Sequence, residues 1–134
     1  MKSASRVTLL MILLSFVACA GFAEKSRMES FSHIFDAYEQ ALRMGNYDAA
    51  AKFLDPVSLH GTTPDIDKYK NIKVFDIKVT NVKVSDDGFE IKQDAELQYF
   101  LLNSNRLRTL RQAQTWRYKP DQEIWLLESG LPKF

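Results

Sequence analysis

Residues 31–50, FSHIFDAYEQALRMGNYDAA, decide the fold because they predict two helices that meet at a sharp corner. Gly45 can take the left-handed conformation that ends a helix, and Asn46 can cap the next helix at once. The first helix carries apolar side chains at the spacing of one helix face, at Phe31, Phe35, Tyr38 and Leu42. We therefore expect this face to lie in the core.

Signals on either side of the corner set the expected bounds of the helix pair. Ser26 and Glu29 have the spacing of a capping box, which predicts that the first helix begins there. The ring of Pro56 excludes helical geometry at the residue before it, so the second helix is predicted over 47–54. Segment 56–68, which holds Pro, Gly and Thr, is predicted to be a loop.

The first predicted strand, 70–84, changes phase along its length. Phe75, Ile77 and Val79 alternate onto one face, and the alternation then slips near Asn81. Such a slip indicates a bulge that bends the strand.

Three more strands, joined by short turns, are predicted downstream. The strand after the turn at 86–88 has one apolar face, formed by Phe89, Ile91, Ala95, Leu97 and Tyr99. Further strands are expected over 107–118 and 123–127. The predicted fold class is α+β, with an N-terminal helix pair packed on a curved, antiparallel four-stranded meander.

The composition fits one globular domain. Of the 134 residues, 46% are hydrophobic and 26% charged, and one is Cys. These values exclude a disordered chain and a disulfide-built scaffold. The 18 Lys and Arg residues nearly balance the 17 Asp and Glu residues, which argues against nucleic acid as a partner.

Residues 1–23 are predicted to be a secretory signal peptide, leaving 24–134 as the folded domain. Lys2 and Arg6 precede an apolar run, and small residues follow it where a peptidase would cut. The uncharged stretch 7–23 is short for a segment that crosses a bilayer. The protein is therefore expected to be exported.

Two cleavage hypotheses remain open around Cys19. Residues 16–19, FVAC, resemble a bacterial lipobox, in which the cysteine is lipidated and becomes the new N-terminus. Residues 18–20, ACA, and 21–23, GFA, both fit the small-x-small rule of ordinary cleavage. The first hypothesis predicts a lipoprotein that meets a membrane only through Cys19, and the second a soluble periplasmic protein.

Residues 41–50, ALRMGNYDAA, resemble the corner between the first two helices in the nuclear transport factor 2-like superfamily. Trp116, Trp125 and the sequence LLES at 126–129 extend the resemblance over about residues 28–130. The resemblance implies a cone-shaped fold, in which the helices close one side of a curved sheet and leave a pocket at the wide end. The superfamily includes ketosteroid isomerase and small bacterial secreted proteins, and many members carry out no reaction.

An isomerase of this kind needs a carboxylate base after the second helix, with buried hydroxyl donors for an enolate. Tyr38 resembles such a donor. Asp55 ends the second helix several residues before the position of the family's base, where this chain has LHG at 59–61. We therefore interpret Asp55 as a turn former and predict no catalytic residue.

Six side chains are predicted to line a ligand pocket: Tyr38, His60, Tyr99, Gln112, Gln114 and Trp116. The last three share one strand face, which suits a neutral or weakly polar ligand if that face is concave. If it is the outer face, the same residues would form a partner or dimer surface. No metal site and no cofactor are predicted, because the only imidazoles, His33 and His60, lie far apart in sequence.

Arginines are frequent near the third strand, at Arg106, Arg108, Arg111 and Arg117. Alternation places Arg111 and Arg117 on one side and Arg108 on the other. Because the second strand carries acidic residues, we predict cross-strand ion pairs on a solvated face rather than a nucleic-acid groove.

Three hypotheses about function follow. The leading one is a non-enzymatic bacterial cell-envelope protein, a monomer or homodimer, that binds a small ligand or an envelope protein partner. The second is an isomerase, dehydratase or cyclase that uses Tyr38 with His60 or Asp65. The third is an assembly component of an envelope complex, which would keep residues 1–23 uncleaved.

Overall fold

Two helices and a four-stranded sheet form the chain in the computed structural model, which describes residues 2–134 and, from residue 21 onward, their side chains. The elements are α1 (Lys2–Arg43), α2 (Tyr47–Ala51), a 3₁₀ turn (Ile66–Tyr69), β1 (Ile72–Val84), β2 (Glu90–Leu101), β3 (Leu107–Lys119) and β4 (Ile124–Leu127). The predicted signal peptide up to residue 20, with Cys19, lies outside the residues whose side chains are described. Over the described side chains, no helix has the length and apolar character to cross a membrane.

The corner between the helices is formed as predicted. Gly45 follows α1 with a φ of +70°, and the Asn46 side chain accepts a hydrogen bond from the Ala49 amide at 3.1 Å. α2 stops at Ala51, earlier than predicted, because the amides of residues 52–54 bond three residues back and tighten the chain.

The predicted start of the first helix at Ser26 is wrong. α1 passes through Ser26, since residues 21–25 contain no proline that would stop it. The helix is held to the sheet at Arg27, whose carbonyl accepts a hydrogen bond from Trp125 Nε1 at 3.0 Å. The Arg27 guanidinium also lies 4.7 Å from the centre of the Phe89 ring, a cation–π contact.

The strands form one antiparallel sheet in the order β1-β2-β3-β4, which confirms the predicted α+β fold and its meander. Along β2 the inner face, which packs on α1, alternates with a more exposed outer face. The inner residues of β2 are Ile91, Gln93, Ala95, Leu97 and Tyr99. The register pairs this face with Gln112, Gln114 and Trp116 of β3, so these three side chains point inward.

β1 is bent near Asn81, as the phase slip predicted. The register shifts between Thr80 and Lys83, and Asn81 has a φ of +53°. Such an irregularity also interrupts an open sheet edge that could otherwise pair with another chain.

A second register shift corrects the prediction for Phe75. The shift lies between Val74 and Asp76 and turns Phe75 away from the core. The side chain is 60% exposed, and its ring lies 6.1 Å from that of Phe100. The prediction that Phe75 shares one face with Ile77 and Val79 is therefore wrong.

The outer face is solvated and carries the predicted ion pairs. Arg111 Nε lies 3.0 Å from Glu96, and Arg117 bridges Glu90 of β2 and Glu128. Arg111 and Arg117 therefore pair with acidic residues across strands.

Candidate functional site

Three glutamines form a hydrogen-bonded row on the inner face, called here the amide row: Gln93, Gln112 and Gln114. Gln114 Oε1 accepts hydrogen bonds from Gln93 Nε2 at 2.9 Å and from Trp116 Nε1 at 3.3 Å. Gln114 Nε2 donates to Gln112 Oε1 at 3.3 Å, and Gln112 Nε2 donates to the Gly130 carbonyl at 3.1 Å. The amide row is thus largely occupied by its own contacts, and it ties β2 and β3 to segment 129–134.

Replacing Gln114 with leucine is expected to lower the free energy of unfolding by about 2 kcal/mol, because it leaves the Gln93 amide and the Trp116 indole N–H buried without an acceptor. Urea denaturation measures the change. The double variant Gln93→Leu/Gln114→Leu removes both members of the buried pair and should be less destabilised than the two single variants added together. If the stability losses of the two single variants add up to the loss of the double variant, the two amides are not in direct contact.

Tyr38 lies on the α1 face that covers this row. Its side chain is 1% exposed, and its ring lies 5.3 Å from Trp116 and 5.9 Å from Phe53. The hydroxyl is buried and has no hydrogen-bond partner among the described residues. Burial raises the pKa of Tyr38 well above its ordinary value, and the phenols of Tyr69 and Tyr47 add to the shift. The hydroxyl is therefore a neutral donor.

Four rings from α2, the 3₁₀ turn, β2 and the C-terminal segment pack together and are called here the aromatic cluster: Tyr47, Tyr69, Tyr99 and Phe134. Tyr47 stacks on Tyr69 at 4.6 Å, and Tyr99 meets Phe134 edge-on at 4.7 Å. The Phe134 ring lies 6.1 Å from Tyr69, which joins the two pairs. Burial raises the pKa of Tyr47 to about 12, with a smaller contribution from Tyr69.

A surface depression of about 340 Å³ lies directly outside the aromatic cluster. It is lined by Pro64, Asp65, Lys68, Tyr69, Ile72, Pro132, Lys133 and Phe134. Tyr69 and Phe134 belong to both the depression and the cluster, so these rings separate the outside from the buried interior.

Of the six predicted pocket residues, the structure places Tyr38, Tyr99, Gln112, Gln114 and Trp116 on the inner side of the sheet. His60 is not brought to them. It is exposed, and both His60 and the adjacent Gly61 have a positive φ in the turn that they form. Asp65 is also exposed, 3.8 Å from Lys68. The described residues therefore do not assemble Tyr38 with His60 or Asp65.

Asp55 has the role of a turn former, as interpreted from the sequence. Its Oδ1 accepts from the Val57 amide at 3.0 Å, and its Oδ2 accepts from Ser58 Oγ at 3.2 Å and lies 2.8 Å from Lys119 Nζ. Burial alone would raise the pKa of Asp55, but Lys119, Val57 and Ser58 lower it below its ordinary value. Both carboxylate oxygens are thus engaged by neighbouring groups.

Sequence reasoning missed four residues of this region, namely Gln93, Tyr47, Tyr69 and Phe134. Gln93 alternates with Ile91 and Ala95, so its parity alone would have placed it inside. Tyr69 and Phe134 lie outside the strands, and no periodic pattern points to their contacts. Over residues 21–134, no group of three or more His, Cys, Asp or Glu side chains could hold a metal ion.

Comparison with known proteins adds one structural similarity. No protein-family model matches the chain, and no curated protein matches it. It is similar to the crystal structure of a proposed dehydratase from the NTF2-like family of Streptomyces avermitilis, with a TM-score of 0.42 and 17% identity, over 77% of this chain and 92% of that chain. The described order of helices and strands is α+β, with two helices followed by an antiparallel four-stranded meander.

Proposed function

We propose that the chain is a non-enzymatic binding protein of the cell envelope that takes up a small, neutral, largely apolar molecule with one hydrogen-bond acceptor. The observation that carries the proposal is the Tyr38 hydroxyl, which is buried without a partner among the described residues. An unsatisfied buried hydroxyl costs about 1–3 kcal/mol. A bound acceptor would remove that cost, so the site is built to favour an occupant.

The side chains on the inner face of the sheet are better suited to binding a ligand than to transferring a proton. General acid–base catalysis needs a group that changes protonation near neutral pH, within reach of a second such group. Tyr38 stays protonated, the amide row does not titrate, and the oxygens of Asp55 are engaged by Lys119, Val57 and Ser58. These groups can orient a molecule but supply no base.

The aromatic cluster suggests the kind of molecule. Its rings offer faces and edges on which an apolar or aromatic ligand can stack, and the buried Tyr38 hydroxyl is itself neutral. Entry from the depression requires the Phe134 ring to move, because that ring lies between the depression and the buried side of the cluster. The envelope location rests on the signal-like composition of residues 1–23.

Prodan, a neutral naphthalene that carries a ketone, tests the proposal. We expect it to bind with a blue shift of its emission, and we expect Tyr38→Phe to weaken binding about fivefold through the lost hydrogen bond. Dimethylaminonaphthalene, which lacks the ketone, is the matched probe and should bind both proteins equally. Failure of prodan to bind, or equal binding to both proteins, contradicts the proposed role of Tyr38.

The same variant should be more stable than the parent protein. Removing the unpartnered hydroxyl should raise the free energy of unfolding by about 1 kcal/mol, whereas most core substitutions lower it. Thermal and urea denaturation of the ligand-free protein measure this. A lower stability of Tyr38→Phe would mean that the hydroxyl has a partner in the folded protein.

A further inference from the structure

Apolar side chains are exposed at the end of the sheet where β2 turns into β3. Leu102 and Leu107 are 56% and 52% exposed, and Phe75 is 60% exposed. The Phe75 ring packs against Phe100, which is paired in register with Leu107. These four side chains lie on the outer face and at the hairpin tip of one sheet end, and they are called here the hairpin patch.

Cations lie beside the hairpin patch at the same end of the sheet. Lys73 is paired in register with Phe100 on the outer face. Arg106 precedes Leu107 in the hairpin, and Arg108 follows it on the opposite face, paired in register with Tyr99. All three are exposed, and none forms a salt bridge within the described residues.

The acidic side chains do not balance these cations locally. The sequence has no Asp or Glu from residue 97 to residue 120. Near Phe75 the carboxylate of Asp76 is engaged by Arg43 at 3.1 Å. The balanced net charge of the whole chain therefore conceals a positive end.

We propose that the hairpin patch docks on the surface of a bilayer that contains anionic phospholipids. Exposed apolar side chains with lysine and arginine beside them are typical of interfacial membrane contacts, in which the cations meet headgroup phosphates and the apolar groups enter the acyl boundary. The patch protrudes at a hairpin tip, which suits a deformable lipid surface. This contact is separate from the predicted lipid anchor at Cys19 and does not depend on the proposed ligand site.

Flotation of the full chain with vesicles tests the proposal, comparing pure phosphatidylcholine with a mixture that contains phosphatidylglycerol. Each cation near an anionic surface contributes about fivefold to partitioning. We therefore expect Arg106→Glu/Arg108→Glu to lower binding to the mixed vesicles at least about 20-fold. Leu102→Ser/Leu107→Ser should lower it about tenfold or more.

The matched control is Lys83→Glu/Lys92→Glu, which makes the same charge change at exposed positions near the far end of the sheet. It should bind within about threefold of the parent protein. Residues 1–23 are identical in all variants, so their contribution to binding cancels, and circular dichroism checks that each variant is folded.

Equal losses in the control and in the arginine variant would overturn the proposal, because they would show general charge attraction. A loss in the arginine variant with none in the leucine variant would also overturn it, in favour of a soluble acidic partner. Binding of the parent protein that does not depend on phosphatidylglycerol would overturn it as well.

Discussion

Replacing Trp116 with alanine is expected to lower the free energy of unfolding by about 4 kcal/mol. The side chain is fully buried. Its ring lies 5.7 Å from Phe31, 6.0 Å from Phe35 and 5.3 Å from Tyr38, all on α1. The substitution removes three of the ring contacts between α1 and the sheet and leaves a cavity that these rings cannot fill. Urea denaturation followed by far-ultraviolet circular dichroism measures the loss.

Two comparisons separate packing from the indole hydrogen bond. Trp116→Phe keeps an aromatic ring but removes the N–H donor to Gln114, so about half of the loss is expected. Phe75→Ala removes a large ring from an exposed position and should cost less than about 1 kcal/mol. A loss below about 2 kcal/mol for Trp116→Ala would contradict the packing of α1 on β3 described above.

The fold was predictable from the sequence where neighbouring residues determine the backbone conformation. Gly45 and Asn46 fix the corner through their own backbone preferences, so a short stretch of sequence was sufficient. The phase slip near Asn81 gave the bulge in β1 for the same reason. At Phe75 the alternation predicted the wrong face. A second bulge changes which residues of β1 share a face, and nothing in the sequence there marks this bulge.

The site was predictable only in part, because its geometry depends on distant contacts. Alternation grouped Gln112, Gln114 and Trp116 on one face of β3. Because both faces of β3 carry polar residues, the alternation did not show which face packs against the core. That choice depends on the docking of α1 on Trp116. Phe134 meets Tyr99 across the fold, and no periodicity in the sequence encodes such a contact.

Replacing Lys119 with methionine is expected to lower the free energy of unfolding at neutral pH by about 3 kcal/mol. The variant leaves the Asp55 carboxylate, which is 3% exposed, without its cation. Asp55→Asn should cost less, about 2 kcal/mol, because the Lys119 side chain is 25% exposed and its ammonium can reach water. The double variant should recover part of the loss, and a double-mutant cycle by urea denaturation gives the coupling.

The pH dependence of this pair has a definite sign. Lys119, Val57 and Ser58 hold the pKa of Asp55 below its ordinary value, which is about 3.9 in an unfolded chain. The stabilisation is therefore fully present above about pH 4 and is lost as the pH falls through the folded pKa. In Lys119→Met the pKa of Asp55 moves upward, so the free energy of unfolding should fall less steeply as the pH decreases below about 4. In Asp55→Asn this contribution to the fall should disappear, because the titrating carboxyl is gone. If both variants lose stability between about pH 4 and pH 2 as steeply as the parent protein, other carboxylates cause the acid sensitivity and the Asp55–Lys119 pair contributes little.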